Sequence, residues 1–337
     1  MMDRMLVDET DLTLVNALQL APRASWAEIG AVIGIDAGRA ARRWRRLHTS
    51  GLAWATVVPG DEHVRAHLSG AAVEVHCATH AIDRIAQEIA QNPWVLSIEK
   101  VTHRCELLLE VIGLGLDHVG RIALHEVGAV AGVEHVRVDV ATELFVEGGT
   151  WRLDALSPGQ QQRLRRLHPP RTAAGTPRGD VTLQIASVLR DDIRATAVDI
   201  AQRLDWSESS ARRRLDQVLG SQALRLRVDL AQPATGFPLT VTSWFRVPAR
   251  TLAQAGANVA ALRSTRVCAG LTGGAANLLI GSWLRGPQDV PVLDVDLAAA
   301  LGDATLIDRT VTVRTFKRAA RLLAEDGTAQ GLVSVDL

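Results

Sequence analysis

Apolar positions along the first sixty residues recur at helical spacing and break at defined points. Leu12, Val15, Leu18 and Leu20 predict a short first helix. Pro22 ends it, because proline disfavours helical backbone in the residue before it. Ser25-Trp26-Ala27-Glu28 is a capping-box pattern opening a second helix, and Gly34 sits where a left-handed stop is needed. Asp36 then caps a third helix over residues 37–49, terminated by Gly51, with Ala40, Trp44 and Leu47 as its buried stripe. Residues 52–58 form a short apolar strand. Beyond it the pattern alternates: strand 71–77, helix 80–91, strands 95–102 and 106–112, helix 115–127 and strand 133–145. That is the βαββαβ order of a ferredoxin-like fold.

The pattern then returns. At an offset of 171 residues, Arg23-Ala24-Ser25 falls on Arg194-Ala195-Thr196, Leu12 and Leu18 on Leu183 and Leu189, and Arg42 and Arg43 on Arg213 and Arg214. Far downstream Leu107-Leu108-Leu109 falls on Leu278-Leu279-Ile280. One offset over that distance predicts a tandem repeat of a two-part unit. In the second copy Thr196 and Asp199 form the capping box, Ser207 caps the third helix, and Ala211, Leu215 and Val218 form its stripe. A strand at 224–230 follows, then strand 240–247, helix 250–261, strands 265–271 and 276–284, helix 290–301 and strand 305–315. The expected architecture is α+β, with two winged helix-turn-helix domains alternating with two ferredoxin-like domains. Their bounds are 1–60, 68–148, 180–231 and 238–318, with a linker at 149–179 and a loose tail at 319–337. Each ferredoxin-like sheet would have one face under its helices and the other bare, so the two copies can pair inside one chain.

A hydrophobic fraction of 47% with 22% charged residues is that of a folded globular chain and excludes wholesale disorder. Lys+Arg and Asp+Glu are both 37 in 337 residues. Zero net charge excludes blanket electrostatic coating of nucleic acid, but it sums unlike parts. Residues 61–150 carry −8 and residues 151–179 carry +5, while residues 36–48 hold five arginines against one acid. Of the basic residues only Lys100 and Lys317 are lysines.

The third helices carry the candidate chemistry. An α-helix fits the major groove of B-DNA, and arginine reads guanine or pairs with phosphate while serine contacts either. Arg39, Arg42, Arg43 and Arg46 in the first copy, and Ser209, Ser210, Arg213 and Arg214 in the second, are the candidate DNA contacts. The plainer reading of one such helix is a solvated face; the ordered set of elements, met twice, argues for DNA. Trp26, Trp44 and Trp206 have core spacing rather than that of stacking platforms for single strands.

These residues resemble the winged-helix unit of the Lrp/AsnC (feast/famine) transcriptional regulators: Ala24-Ser25-Trp26-Ala27-Glu28-Ile29-Gly30, Ile33-Gly34-Ile35-Asp36, Ala40-Ala41-Arg42-Arg43-Trp44-Arg45-Arg46-Leu47 and Ser50-Gly51-Leu52. The family's third helix opens Ser-x-x-Thr-Val-x-x-Arg. The second copy matches at Ser207, Ser210, Ala211 and Arg214; the first has Asp36 and Arg39 for the serine and threonine but keeps Arg43. The resemblance implies that the strand after each helical unit pairs with its counterpart. It also implies that the turn between the second and third sheet strands lines an effector pocket. Thr272, Gly273, Gly274 and Asn277 are the candidate effector residues of the second copy, with a glycine-rich hairpin turn carrying a capping asparagine as the equal plainer reading; Thr102, His103 and Arg104 are those of the first, which lacks the glycine. The implied function is a sequence-specific transcriptional regulator that binds double-stranded DNA and a small molecule, an amino acid or related metabolite. It would be a homo-oligomer, a dimer or tetramer of pseudo-dimeric chains, and not an enzyme. Sirohaem decarboxylases resemble the same two-part architecture and supply the rival reading, a tetrapyrrole enzyme served by the first copy's histidines. A third reading is an architectural DNA-binding protein without effector.

His76, Cys77, His80, His103 and Cys105 concentrate soft donors without a recognised zinc-finger spacing, so neither a metal nor another cofactor is expected. Three cysteines are too few for a disulfide scaffold. The linker, rich in proline, glycine and arginine, includes one helix over 160–167; Arg163, Arg165, Arg166 and Arg171 would touch phosphate or merely solubilise it. No signal peptide and no span of about 20 apolar residues is evident, so a cytoplasmic, non-membrane location is expected.

Overall fold

The computed structural model describes residues 7–60, 68–167, 177–221, 223–333 and 335. The chain opens with helices α1 (Glu9–Leu20), α2 (Trp26–Ile33) and α3 (Ala37–Thr49), then strands β1 (Ala53–Pro59) and β2 (Leu68–Cys77). Next come α4 (Ile82–Ile89), β3 (Val95–Val101), β4 (Leu107–Leu114), α5 (Leu116–Gly120, continuing as a π-helical stretch Arg121–Val127) and β5 (Val133–Val146). Helix α6 (Pro158–Leu167) follows. The order of elements then recurs: α7 (Gly179–Asp191), α8 (Ala197–Leu204), α9 (Glu208–Gly220), β6 (Leu224–Leu230), β7 (Leu239–Arg246), α10 (Leu252–Ala260), β8 (Thr265–Thr272), β9 (Leu278–Leu284), α11 (Val290–Leu301) and β10 (Thr305–Arg318). Two short strands, β11 (Arg321–Leu323) and β12 (Ala329–Leu332), end it.

The described residues fall into two compact units, one drawn from segments 1–66 and 152–231, the other from 67–151 and 232–336. Each unit takes one segment from each half of the chain.

The first unit holds both helix-turn-helix heads. Leu14, Val15 and Leu18 of α1 pack with Ile29 of α2 and with Ala40 and Leu47 of α3, all buried. Gly30 is required by a close approach: a Cβ there would lie 2.5 Å from the Ile35 carbonyl oxygen. Val181, Ile185, Leu189, Ile200, Ala211, Leu215 and Val218 make the matching core of the second head. Strands β1 and β6 pair antiparallel from Ala53↔Leu230 to Pro59↔Leu224. Helix α6 lies on the first head, with Leu164 fully buried, Gln160 Nε2 donating to the Val32 carbonyl (3.0 Å) and Arg163 Nη1 to that of Ala31 (3.1 Å). Arg163 thus holds the linker helix to α2. Arg171, Pro169 and Pro170 lie outside the described residues.

The second unit is a closed ring of strands. Strands β3-β4-β2-β5 and β8-β9-β7-β10 form two four-stranded antiparallel sheets. Strand β5 pairs with β8 (Val140↔Thr272 to Val146↔Cys268), and β10 pairs with β3 (Thr312↔Val101 to Lys317↔Ile98), so eight strands close on themselves. Closure removes unpaired edges. Helices α4 and α5 cover one sheet from outside, burying Val73, Val75, Ile85, Leu107, Leu109 and Ile122; α10 and α11 cover the other over Val241, Cys268, Leu278, Ile280 and Leu297. The inner faces meet through Val101, Leu108, Trp244, Leu271 and Leu279. The bare sheet faces expected from the sequence cover each other.

The end of the chain differs from expectation. Instead of a loose tail, β11 folds back on β10 and β12 on β11. The reversal uses Ala319 (φ 48°) and Ala320 (φ 66°), the left-handed pair that a two-residue hairpin demands. It also explains why β10 runs past its expected end at 315. Near that end Lys317 is fully buried, its Nζ donating to the carbonyls of Ala90 (3.0 Å) and Asn92 (2.8 Å), and burial lowers its pKa to about 8.

Candidate nucleic-acid interface and the two sheet turns

Helix α3 begins where Asp36 accepts a hydrogen bond from the Arg39 amide (2.7 Å), and α2 before it has both halves of its capping box, between Ser25 and Glu28. These caps satisfy amides that helix starts otherwise leave unpaired. The arginines of α3 then divide into two sets. Arg39, Arg42 and Arg45, three residues apart, are exposed, and none forms an ion pair among the described residues. Arg43 and Arg46 point back to α1. Arg43 Nη1 lies 2.8 Å from Asp11 Oδ1 and 2.8 Å from Asp8 Oδ2, and Arg46 pairs with the other oxygen of Asp11. Asp11 is fully buried. Burial opposes ionisation of Asp8, yet hydrogen bonds from the Asp11 amide and from Arg43 hold its carboxyl below the usual range. Arg43 and Arg46, expected among the DNA contacts, therefore anchor α3 to α1. A cleft lined by Asp8, Arg39, Arg42, Arg43 and Arg46 runs beside them.

Nothing in the apolar pattern singles out Asp8 and Asp11 as the partners of Arg43 and Arg46. Their signal is the spacing: Asp8 is the N-cap of α1 and Asp11 its N3 residue, each bonding the other's amide.

In the second head Ser207 caps α9 by accepting from the Ser210 amide (3.3 Å), and its hydroxyl lies 3.3 Å from that of Ser209. Arg214, the counterpart of Arg43, stacks on Trp206 with its Cζ 4.2 Å from the ring. Arg212 pairs with Glu208 at 2.6 Å. Arg213 is exposed, in a cleft it shares with Glu208, Ser209, Arg212 and Asp216. The offset of 171 sets Arg39, Arg42 and Arg45 against Ser210, Arg213 and Asp216. The outward row is wholly cationic in one head and balanced in the other.

A reciprocal strut joins the two heads. Arg23 donates to the Ile193 and Ala195 carbonyls, and Arg194 donates to those of Pro22 (2.9 Å) and Ala24 (2.6 Å) while stacking 4.1 Å from Trp26. The two arginines fall on one another at the offset of 171, but their role needs the three-dimensional arrangement.

In the second unit the expected effector residues lie on two turns. Asn277 is committed to backbone: its Oδ1 accepts from the Val247 amide and its Nδ2 donates to the Val247 carbonyl, each at 2.8 Å. Glu106, its counterpart in the first half, makes only an acceptor contact, with the Cys77 amide at 3.1 Å. Thr102 bonds the amide of Val311 (3.2 Å), and exposed His103 lies 3.6 Å from Asp308. Gly273 (φ +123°) and Gly274 lie on β5: a Cβ on Gly274 would stand 2.6 Å from Asp139 Oδ1. Thr272 pairs with Val140 at the end of β8. Arg104, at φ 74°, turns into a group of carboxylates on β2, β5 and β10.

Among the described residues no three histidine, cysteine, aspartate or glutamate side chains are placed to hold a metal ion, so His76, Cys77, His80, His103 and Cys105 do not converge as a ligand set. Burial pushes the Cys105 and Cys268 thiols up to about 12, away from thiolate chemistry. No helix of the described residues is long and apolar enough to cross a membrane.

An α+β chain with helix-turn-helix heads and a closed pair of ferredoxin-like sheets is thus the class that the structure defines. Residues 7–48 match the AsnC-type helix-turn-helix domain family. No curated protein matches the sequence. Among solved structures, the siroheme decarboxylase NirDL is 16% identical with a TM-score of 0.58, over 95% of this chain and 96% of that one. NirDL in complex with an iron-uroporphyrin III analogue is likewise 16% identical, TM-score 0.57, covering 93% of each chain. AsnC of E. coli is 12% identical with a TM-score of 0.37, over 41% of this chain and 93% of that one. At such identity the likeness to NirDL is one of fold. It nevertheless corrects the expectation that the chain is no enzyme: the architecture spanning nearly its whole length is one on which an enzyme is built. Arginine-rich third helices do not bear on what the sheets do, because function resides in sites and not in folds.

Proposed function

We propose that the protein is a transcriptional regulator that binds duplex DNA in a sequence-dependent way through α3 and α9 and responds to a small ligand at its sheet turns. The observation that carries this reading is the open row Arg39, Arg42 and Arg45 on a capped helix of an AsnC-type helix-turn-helix domain. Three guanidinium groups on one face suit the phosphates and guanine edges of a major groove. Ser209, Ser210 and Arg213 serve in the second head, while Arg43, Arg46 and Arg214 hold their helices in place. An amino acid or related metabolite is the effector class, and self-association of whole chains is expected. Electrophoretic shift and footprinting at low salt test the reading: a protected, sequence-preferring site supports it, and its absence across a selected pool of duplexes sinks it.

The likeness in fold to NirDL over 95% of the chain favours a second reading, a tetrapyrrole-carboxylate decarboxylase. Titrating the protein with an iron tetrapyrrole carboxylate and following the Soret band separates the two. A saturable shift with loss of CO2 from the ligand supports the enzyme; an unchanged spectrum counts against it.

A further inference from the structure

The Arg104 guanidinium is enclosed on four sides inside the ring of strands. Its Nε pairs with Glu74 of β2, its Nη1 lies 3.3 Å from Asp308 of β10, and its Nη2 lies 3.9 Å from Asp139 of β5. Its Cζ stands 4.8 Å over the Trp244 ring of β7. Three carboxylates and an indole face are what a guanidinium selects: planar donors for oxygen acceptors, and a cation for a π face.

Two features mark this as more than an ordinary ion-pair network. Arg104 leaves the enclosure unsatisfied. Glu74 Oε2 and Trp244 Nε1, on side chains that are almost wholly buried, have no hydrogen-bond partner. Arg104 also reaches the enclosure from a left-handed backbone conformation that non-glycine residues seldom adopt. The enclosure is built on one side only: at the corresponding positions of the other half stand Ala275 for Arg104 and Thr310 for Asp139. The glycine turn of the second half touches it, since Gly274 leaves room for Asp139.

We propose that Glu74, Asp139, Asp308 and Trp244 form a binding site for guanidino compounds, occupied in this structure by Arg104 as an intramolecular competitor. A free guanidino ligand with a further polar group would satisfy the atoms that Arg104 leaves unpaired, and its entry would expel the 102–106 turn. The inference deepens the small-ligand half of the function proposed above. It concerns only what the enclosure holds, so DNA binding and cage binding fail independently.

The experiment uses the full chain, with ethylguanidinium as probe and ethylammonium at equal ionic strength as control, read by thermal shift and calorimetry. R104A should bind ethylguanidinium saturably and at least tenfold more tightly than wild type, with no comparable response to ethylammonium. R104A/E74Q should lose that binding. Absence of saturable binding to R104A, or equal binding to R104A/E74Q, overturns the proposal. Should R104A fail to fold alone, millimolar ethylguanidinium is expected to restore its folded circular-dichroism signal; failure to do so overturns the proposal equally.

Discussion

The two heads share a plan and differ in what holds their third helix. Arg43 and Arg214 occupy the same place, yet one sits in a carboxylate pair supplied by α1 and the other lies on Trp206. The first head keeps its acids beneath the helix and leaves the outer row cationic. The second places Glu208 and Asp216 on the helix itself. A balanced outer row contributes little long-range attraction, so the first head should dominate phosphate affinity while the second contributes register.

The largest test of that contrast is stability. Buried Asp11 accepts charge-assisted hydrogen bonds from Arg43 and Arg46, and its removal leaves Arg43 with Asp8 alone and Arg46 partly solvated, a loss of about 3 kcal/mol. D11A should therefore unfold the first head at much lower denaturant, whereas T182A, at the corresponding place in the second, should cost about 1 kcal/mol. Equal losses would break the comparison. Next is DNA binding: R39A/R42A/R45A should weaken duplex affinity about 100-fold, roughly 2.7 kcal/mol, and lower the salt slope by about one for each phosphate that is no longer neutralised. S210A/R213A should cost less than about tenfold. Titration of retarded complexes at several salt concentrations measures both.

A third test compares the last strands of the two sheets, where Lys317 stands against Val146. Lys317 has a folded pKa of about 8 against an ordinary value of 10.5, so between those values the unfolded chain binds the extra proton. Wild type should gain stability relative to K317M as pH rises from 8 to 10.5, by on the order of 2 kcal/mol. The buried thiols act in the opposite direction in both proteins and cancel in the difference. A flat difference in denaturation midpoints would show that Lys317 does not titrate in this way. The smallest effect concerns the strand-end caps. N277D sets a carboxylate against the Val247 carbonyl and should cost about 1 kcal/mol, while E106Q keeps an acceptor for the Cys77 amide and should cost less than about 0.5 kcal/mol. Thermal midpoints resolve the two.

Much of this architecture is legible in the chain because the signals are local. Capping boxes at Ser25 and Thr196, the stop at Gly34 and the apolar stripes place the heads, and helices 37–49 and 290–301 coincide with α3 and α11. The bare sheet faces predict that the two sheets meet. Partner choice is not legible. Whether an arginine on a helix faces solvent or a neighbouring helix depends on packing between α1 and α3, and five arginines within thirteen residues look alike in sequence. The same holds for Arg104, whose partners come from four strands far apart in the chain, whereas the capping role of Asn277 is one of the two readings its turn allows. The tail reads as loose because its hairpin turns on two alanines, where glycine or asparagine would be the signal.

The ring of strands in the second unit is sealed at two seams by segments of a single polypeptide. A dimer of identical subunits must make every change twice, once on each side of its axis. Here a substitution is made once. The carboxylate enclosure stands on one side of the ring alone, and the basic row on one head alone. One chain can thus place different chemistry on the two halves of each unit, which a pair of identical subunits cannot.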